Sequence, residues 1–140
     1  MNRIEVMNPG FTKFHLNEHG QHGWPIRPVL HQFTAPDEGD PHCHPWDFRV
    51  VVWRGSYVEE VHVIDGDGFV QTYQQLRREG DSFTLPAEHI HRIVALPQGE
   101  CWTFAEYGPC RRTSQFYRFE PGGRVLSRPW HRAEFAEVAA

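Results

Sequence analysis

Pro41-His42-Cys43-His44-Pro45-Trp46 is the stretch on which the reading of this chain turns. On an extended segment, residues two apart point to the same side, so His42 and His44 face one way and Cys43 the other. Two imidazoles presented together can grip one metal ion, and histidine is the commonest metal-ligating side chain. Alone, a His-x-His pair fits a polar loop edge as well as a metal site. A second stretch weighs on the choice: Gly80-Asp81-Ser82-Phe83-Thr84-Leu85-Pro86-Ala87-Glu88-His89-Ile90-His91. Gly80 and Asp81 make a turn, a short strand follows, and Pro86 bends the chain before His91. That course can carry a third imidazole back toward the first pair.

Outward from these stretches, alternation and β-formers dominate. The pattern predicts strands over Phe11–Leu16, Arg27–Phe33, Phe48–Trp53, Tyr57–Ile64, Phe69–Leu76, His91–Leu96, Cys101–Tyr107 and Ser114–Phe119. Turn residues separate them, and Asp65-Gly66-Asp67-Gly68 is the clearest hairpin, because Asp-Gly accepts the positive φ of tight turns. No window holds the three-four apolar spacing of a helix, with the short tail after Pro129 as the one candidate. There is no repeat, linker or low-complexity segment. Many short strands with regular turns indicate a β-sandwich or barrel, and closure would remove strand edges and leave an interior for a ligand.

The two stretches together resemble the paired motifs of the cupin superfamily. Gly39, His42, His44 and Gly55 fit the first motif loosely, and Gly80, Pro86 and His91 fit the second at its spacing. Leu30-His31-Gln32-Phe33, His44-Pro45-Trp46-Asp47-Phe48, the Gly55-Ser56-Tyr57 turn and Gly108-Pro109-Cys110-Arg111-Arg112 are similar to a group of small bacterial and phage cupins. The resemblance runs from about Val29 to Phe119. It implies an all-β, single-domain cupin over residues 1–140, a double-stranded β-helix or jelly-roll barrel with its core over about 27–120. It also implies a metal site of His42, His44 and His91, and a homodimer formed through outer strands. The superfamily includes dioxygenases, isomerases, epimerases, decarboxylases and non-catalytic binders.

One position departs from the motif. The glutamate expected about four residues after the second histidine is Phe48, and Asp47 is one residue short. In a regular strand Asp47 points away from the histidines; a bulge at Pro45 would turn it inward. The expectation is a three-histidine site without Asp47. His89 is two residues before His91 and could share its side, but its place just after Pro86 reads as loop. His31, on the strand before the first motif, is the candidate catalytic acid or base, with a hydrogen-bonded structural histidine as the alternative. His15, His19 and His22 read as a solvated loop and His62 as exposed; His131 is assigned no role. Cys43 reads as a packed thiol, and Trp46, Phe48, Trp53, Trp102 and Phe104 as barrel core. Arg111-Arg112 reads as a solvated turn in preference to an anion clamp.

Three neutral imidazoles leave a divalent metal its full charge and open coordination positions. Such sites suit iron(II) first, with zinc, manganese, nickel or copper as alternatives. The expected function is that of a metal-dependent small-molecule enzyme, an iron dioxygenase-like oxidoreductase acting on a small polar or anionic substrate. An isomerase or lyase, or a non-catalytic binding cupin, stands as the alternative. Composition agrees with a folded domain, with 140 residues, 39% hydrophobic and 14% aromatic. A net charge of −4 and a pI near 6.2 oppose a broad nucleic-acid footprint. No apolar run approaches the roughly 20 residues of a membrane span. Met1 to Gly10 lacks a signal-peptide pattern, so the three cysteines are expected as reduced thiols in a cytoplasmic protein.

Overall fold

A computed structural model describes residues 3–16 and 27–138; His19 and His22 lie outside the described residues. Twelve strands follow one another: β1 (Arg3–Asn8), β2 (Phe11–His15), β3 (Arg27–Phe33), β4 (Phe48–Gly55), β5 (Tyr57–Ile64), β6 (Val70–Arg77), β7 (Ser82–Leu85), β8 (Ile90–Ala95), β9 (Cys101–Tyr107), β10 (Gln115–Glu120), β11 (Arg124–Pro129) and β12 (Ala136–Glu137). No helix occurs among the described residues, and none is long and apolar enough to cross a membrane.

The strands make two walls. One is a six-stranded antiparallel sheet in the order β1-β2-β3-β9-β4-β7. The other consists of two three-stranded pieces, β6-β5-β8 and β10-β11-β12. The segment around His42 closes the seam between them, bridging to His91 on one side and Phe116 on the other. Its backbone bonds go both ways. His42 N–H donates to the His91 carbonyl and His91 N–H returns the bond, both at 3.0 Å, while Cys43 N–H donates to Gln115 and Tyr117 N–H donates to Pro41. The result is an all-β, antiparallel barrel of the jelly-roll kind.

Period-two alternation sorts the side chains. In β9, Cys101, Thr103, Ala105 and Tyr107 turn inward and are buried, while Phe104 is 37% exposed. The interior is filled by Val29, Phe48, Val50, Leu85, Ala105 and Tyr107 at one end and by Phe33, Val52, Tyr57, Ile93 and Cys101 at the other. Cys43, Ile90, Tyr117 and Val125 pack behind the seam. Each such large apolar side chain contributes about 1.5–3 kcal/mol relative to exposure.

Several expectations are corrected. The tail after Pro129 holds the short strand β12 and no helix, and β1 and β11 are strands that alternation did not reveal. His62 is buried, not exposed, because β10 covers it. Its ring stacks on Phe119 at 4.2 Å, and its two nitrogens meet Thr72 and Glu60. His15 belongs to β2, not to a solvated loop; it is buried and sits 3.0 Å from Glu5. Trp53, Trp102 and Phe104 are not core residues. They stand on the outer face of the six-stranded sheet, where Phe14, Leu30, Trp53, Arg54 and Trp102 line an apolar groove. That groove is separated from the interior by the sheet itself.

The turn between β4 and β5 depends on Gly55, whose φ is +74°. A Cβ there would lie 2.3 Å from the Glu100 carbonyl oxygen. Gly55→Ala is therefore expected to destabilise the fold by about 2 kcal/mol or more, from left-handed backbone strain plus a backbone clash. Urea unfolding checks this; an unchanged midpoint would count against the turn geometry.

Candidate metal centre

Two structural relations bring three histidines together. His42 and His44 share a side because they are two residues apart on the seam, and His42 and His91 are directly opposed across mutual backbone hydrogen bonds. The ring centroids form a near-equilateral triangle, with 5.1 Å between His42 and His44, 5.2 Å between His42 and His91, and 4.9 Å between His44 and His91. One nitrogen from each lies within 4.8 Å of the others. The Nε2 atoms of His44 and His91 approach to 3.3 Å. Two ligand nitrogens about 2.0–2.1 Å from one metal, subtending about 90–110°, lie roughly 2.8–3.4 Å apart, so this edge falls within the length a metal site requires.

Behind His91 stands a carboxylate that the motif reading missed. Glu59 is fully buried. Its Oε1 accepts from His89 Nε2 at 2.5 Å and lies 3.5 Å from His91 Nδ1; its Oε2 accepts from Arg77 Nε at 3.2 Å. His91 therefore offers one nitrogen toward His42 and His44 and the other toward Glu59, the arrangement in which a carboxylate fixes the tautomer of a metal-binding imidazole. Glu59, His89 and His91 also converge closely enough to suit a cation. Arg77 and His89 already satisfy that carboxylate, so the set reads as support for His91 and not as a second centre. The available signal was parity, because Glu59 shares its strand face with buried Tyr57 and Val61.

The electrostatics favour neutral imidazoles. Burial, then the neighbouring His91, lowers His42 to about 3, and the same causes hold His44 well below the usual histidine value. Burial alone would raise the Glu59 carboxyl, but the hydrogen bond from His89 and the closeness of His91 overturn that and keep it ionised. The folded state thus resists protonating His42 and His44, while the unfolded chain takes protons below about pH 6.5. Stability of the metal-free protein should fall as pH drops from about 6.5 toward 3, by up to about 1.4 kcal/mol per pH unit for each such histidine. Urea midpoints measured across that range test the sign; a flat profile would contradict it.

The other candidates fall elsewhere. Phe48 occupies the position of the expected glutamate and packs its ring 4.5 Å from His44. Asp47 is exposed on the opposite side, accepting from Arg111 at 2.7 Å and from Ala87 N–H at 2.8 Å. Arg111 also reaches Glu88, so Arg111 and Arg112 belong to a surface ion-pair cluster. Asp47→Asn is expected to leave metal content unchanged, as elemental analysis would show; a loss like that of a histidine variant would restore a carboxylate ligand. Cys43 is a buried free thiol facing away from the rings. His31 is buried in the interior among Phe11, Phe33 and Tyr107, with Nε2 2.5 Å from the Tyr107 hydroxyl. It touches none of the three histidines directly. Tyr107 stacks on Trp46 at 3.7 Å, and Trp46 stacks on His44 at 5.7 Å, so aromatic rings link the two places.

No protein-family model matches the chain. No curated protein matches it by sequence. Solved structures do match in fold. KdgF from Halomonas sp. is 20% identical over 77% of this chain and 89% of that one, with a TM-score of 0.53. Oxalate oxidase in complex with the substrate analogue glycolate is 18% identical over 79% of this chain, with a TM-score of 0.56. Hydroxypropylphosphonic acid epoxidase from S. wedmorenis is 14% identical over 75% of this chain, with a TM-score of 0.55. This chain spans 57% and 54% of the latter two. What these likenesses show is a shared fold.

Proposed function

We propose that the protein is a metal-dependent enzyme acting on a small polar or anionic molecule, and that iron(II) is its metal and oxygenation its reaction class. The observation that carries this reading is an incomplete ligand set. His42, His44 and His91 converge, and Phe48 stands where a fourth protein ligand would be. A filled shell of four protein ligands would suit a structural metal; three leave room for substrate. Bound there, iron(II) would supply adjacent open positions for substrate and dioxygen.

The chain's own residues have separate duties in this reading. The three imidazoles hold the metal in their neutral form. Glu59 orients His91 and adds negative charge behind it. Phe48 and Trp46 wall the site and exclude water around His44. His31, hydrogen bonded to Tyr107, is the proposed proton carrier on the far side of those rings. A solved neighbour described as iron(II) HppE fits the oxygenase reading. Another, a DMSP lyase, keeps a lyase as the second reading. The apolar row Ile4, Phe14, Leu30, Phe104 and Val51, continuous by register across the outer face, supports a homodimer formed there.

The test loads metal-free protein with iron(II) and follows oxygen uptake across thiols, catechols and oxo-acids, then repeats with zinc. Uptake that requires iron, His42 and one substrate class is the expected result, with His31→Ala retaining metal while losing turnover. Product with zinc and no oxygen uptake would replace the oxygenase by a lyase or isomerase. Silence with every metal, together with a ligand retained through purification, would leave a binding protein.

A further inference from the structure

The interior face of β2 carries a cation that the metal site does not account for. Lys13 lies opposite His31 across β2 and β3, on the row that continues inward to Thr103 and Val52. His31, Thr103 and Val52 are buried, so Lys13 shares the interior face. Its ammonium nitrogen stands 5.3 Å from the Tyr107 ring centroid, 5.7 Å from Phe11 and 5.9 Å from Trp46. Trp46 is the ring that stacks on His44. One aromatic ring therefore contacts both the ammonium and a histidine of the candidate metal centre.

Among the described residues, no hydrogen bond or ion pair engages this ammonium. Glu5, directly across on β1, is engaged by His15 at 3.0 Å and by Arg3 at 3.9 Å. Burial lowers the Lys13 pKa from its ordinary value, with Glu5 acting in the opposite direction. The nearby Glu5 carboxylate acts on this ammonium through space but bonds to His15 instead, and cation–π contacts offset the loss of water only in part. A neutral side chain of the same length would fill the space at lower cost. What a lysine adds, with no bonded partner among the described residues, is affinity for an anion.

We infer that Lys13 is the anion-binding residue of this site, holding the carboxylate of a small organic acid whose other end reaches toward His42, His44 and His91. The aromatic walls suit such a ligand, since they exclude water and strengthen the charge-assisted hydrogen bond. The inference rests on the metal-enzyme reading for the second half of the ligand only; the ammonium and its walls belong to the chain itself.

The test uses the full chain, metal-free and zinc-loaded, with glycolate and its uncharged analogue glycolamide as probes in titration calorimetry. Wild-type protein should bind glycolate tighter than glycolamide by roughly tenfold or more, as expected for a charge-assisted hydrogen bond. Lys13→Met should abolish that preference and leave glycolamide binding unchanged, while Lys13→Arg should keep most of it. The melting temperature of Lys13→Met should be unchanged or raised, since a desolvated charge has been removed. A Lys13→Met protein that keeps the preference overturns the inference, as does a wild type with none. A lowered melting temperature with the preference intact would assign Lys13 to packing. Failure of zinc to bind would strike the metal-enzyme reading instead, and the metal-free arm would still decide the role of Lys13.

Discussion

Replacing His91 with alanine should abolish stoichiometric metal binding while leaving a folded protein. His91 is the corner of the triangle that comes from a distant part of the sequence, and without it His42 and His44 are two ligands on one segment. The loss should exceed the ten- to hundredfold typical of groups that only orient a ligand. His42→Ala and His44→Ala should behave alike, because each removes one corner of the same triangle. His62→Ala is the control: its nitrogens are engaged by Thr72 and Glu60 on the other side of β5. Competition against a chromophoric chelator measures affinity, and elemental analysis measures content. Full retention of metal by the His91 variant would show that Gly80–His91 contributes nothing to the centre.

The second large effect is expected at Glu59. Glu59→Ala removes the carboxylate that Arg77 and His89 share and leaves both donors in a dry environment. Breaking a buried charged pair by deleting one partner costs about 3–5 kcal/mol, so unfolding should move to markedly lower urea. Glu59→Gln keeps the shape and one acceptor, and it should lose less stability. Both variants should lose metal affinity, by roughly ten- to hundredfold, because His91 Nδ1 no longer faces a carboxylate. Metal affinity equal to that of the wild type in Glu59→Gln would confine Glu59 to a structural role. Wild-type stability in Glu59→Ala would show that the buried network is not held together by charge.

The interior strands were legible because runs of β-formers there are bounded by turn residues. Arg27–Phe33, Tyr57–Ile64 and Cys101–Tyr107 are strands over those very residues. Strands on the margins were harder to read. β1 is mostly exposed and β12 is two residues long, so neither carries an apolar alternation. His42, His44 and His91 could be singled out from spacing, since two-residue periodicity is local and a proline-bent return is visible in the chain. Glu59 and Lys13 could not be singled out in the same way. Each needs the knowledge that its strand's inward face meets another wall, and that knowledge lies in the pairing of β5 with β8 and of β2 with β3. Trp53, Trp102 and Phe104 misled for the converse reason. Their chemistry says interior, but their parity puts them on the outer face, where an apolar row crosses the sheet.

The seam at Pro41–His44 has one more consequence. The same backbone amides that stitch the two three-stranded pieces into one wall also aim the imidazoles of His42 and His44. Metal binding and wall closure should therefore be one thermodynamic event: a cation that held His42 to His91 would also clamp the zipper formed by their amides. The slowest-exchanging amide protons of the loaded protein should include those of His42, Cys43, His91 and Tyr117. Chelation should release these protons before those of the opposite sheet, so that the barrel loses its stitching along one line while its other wall stays intact.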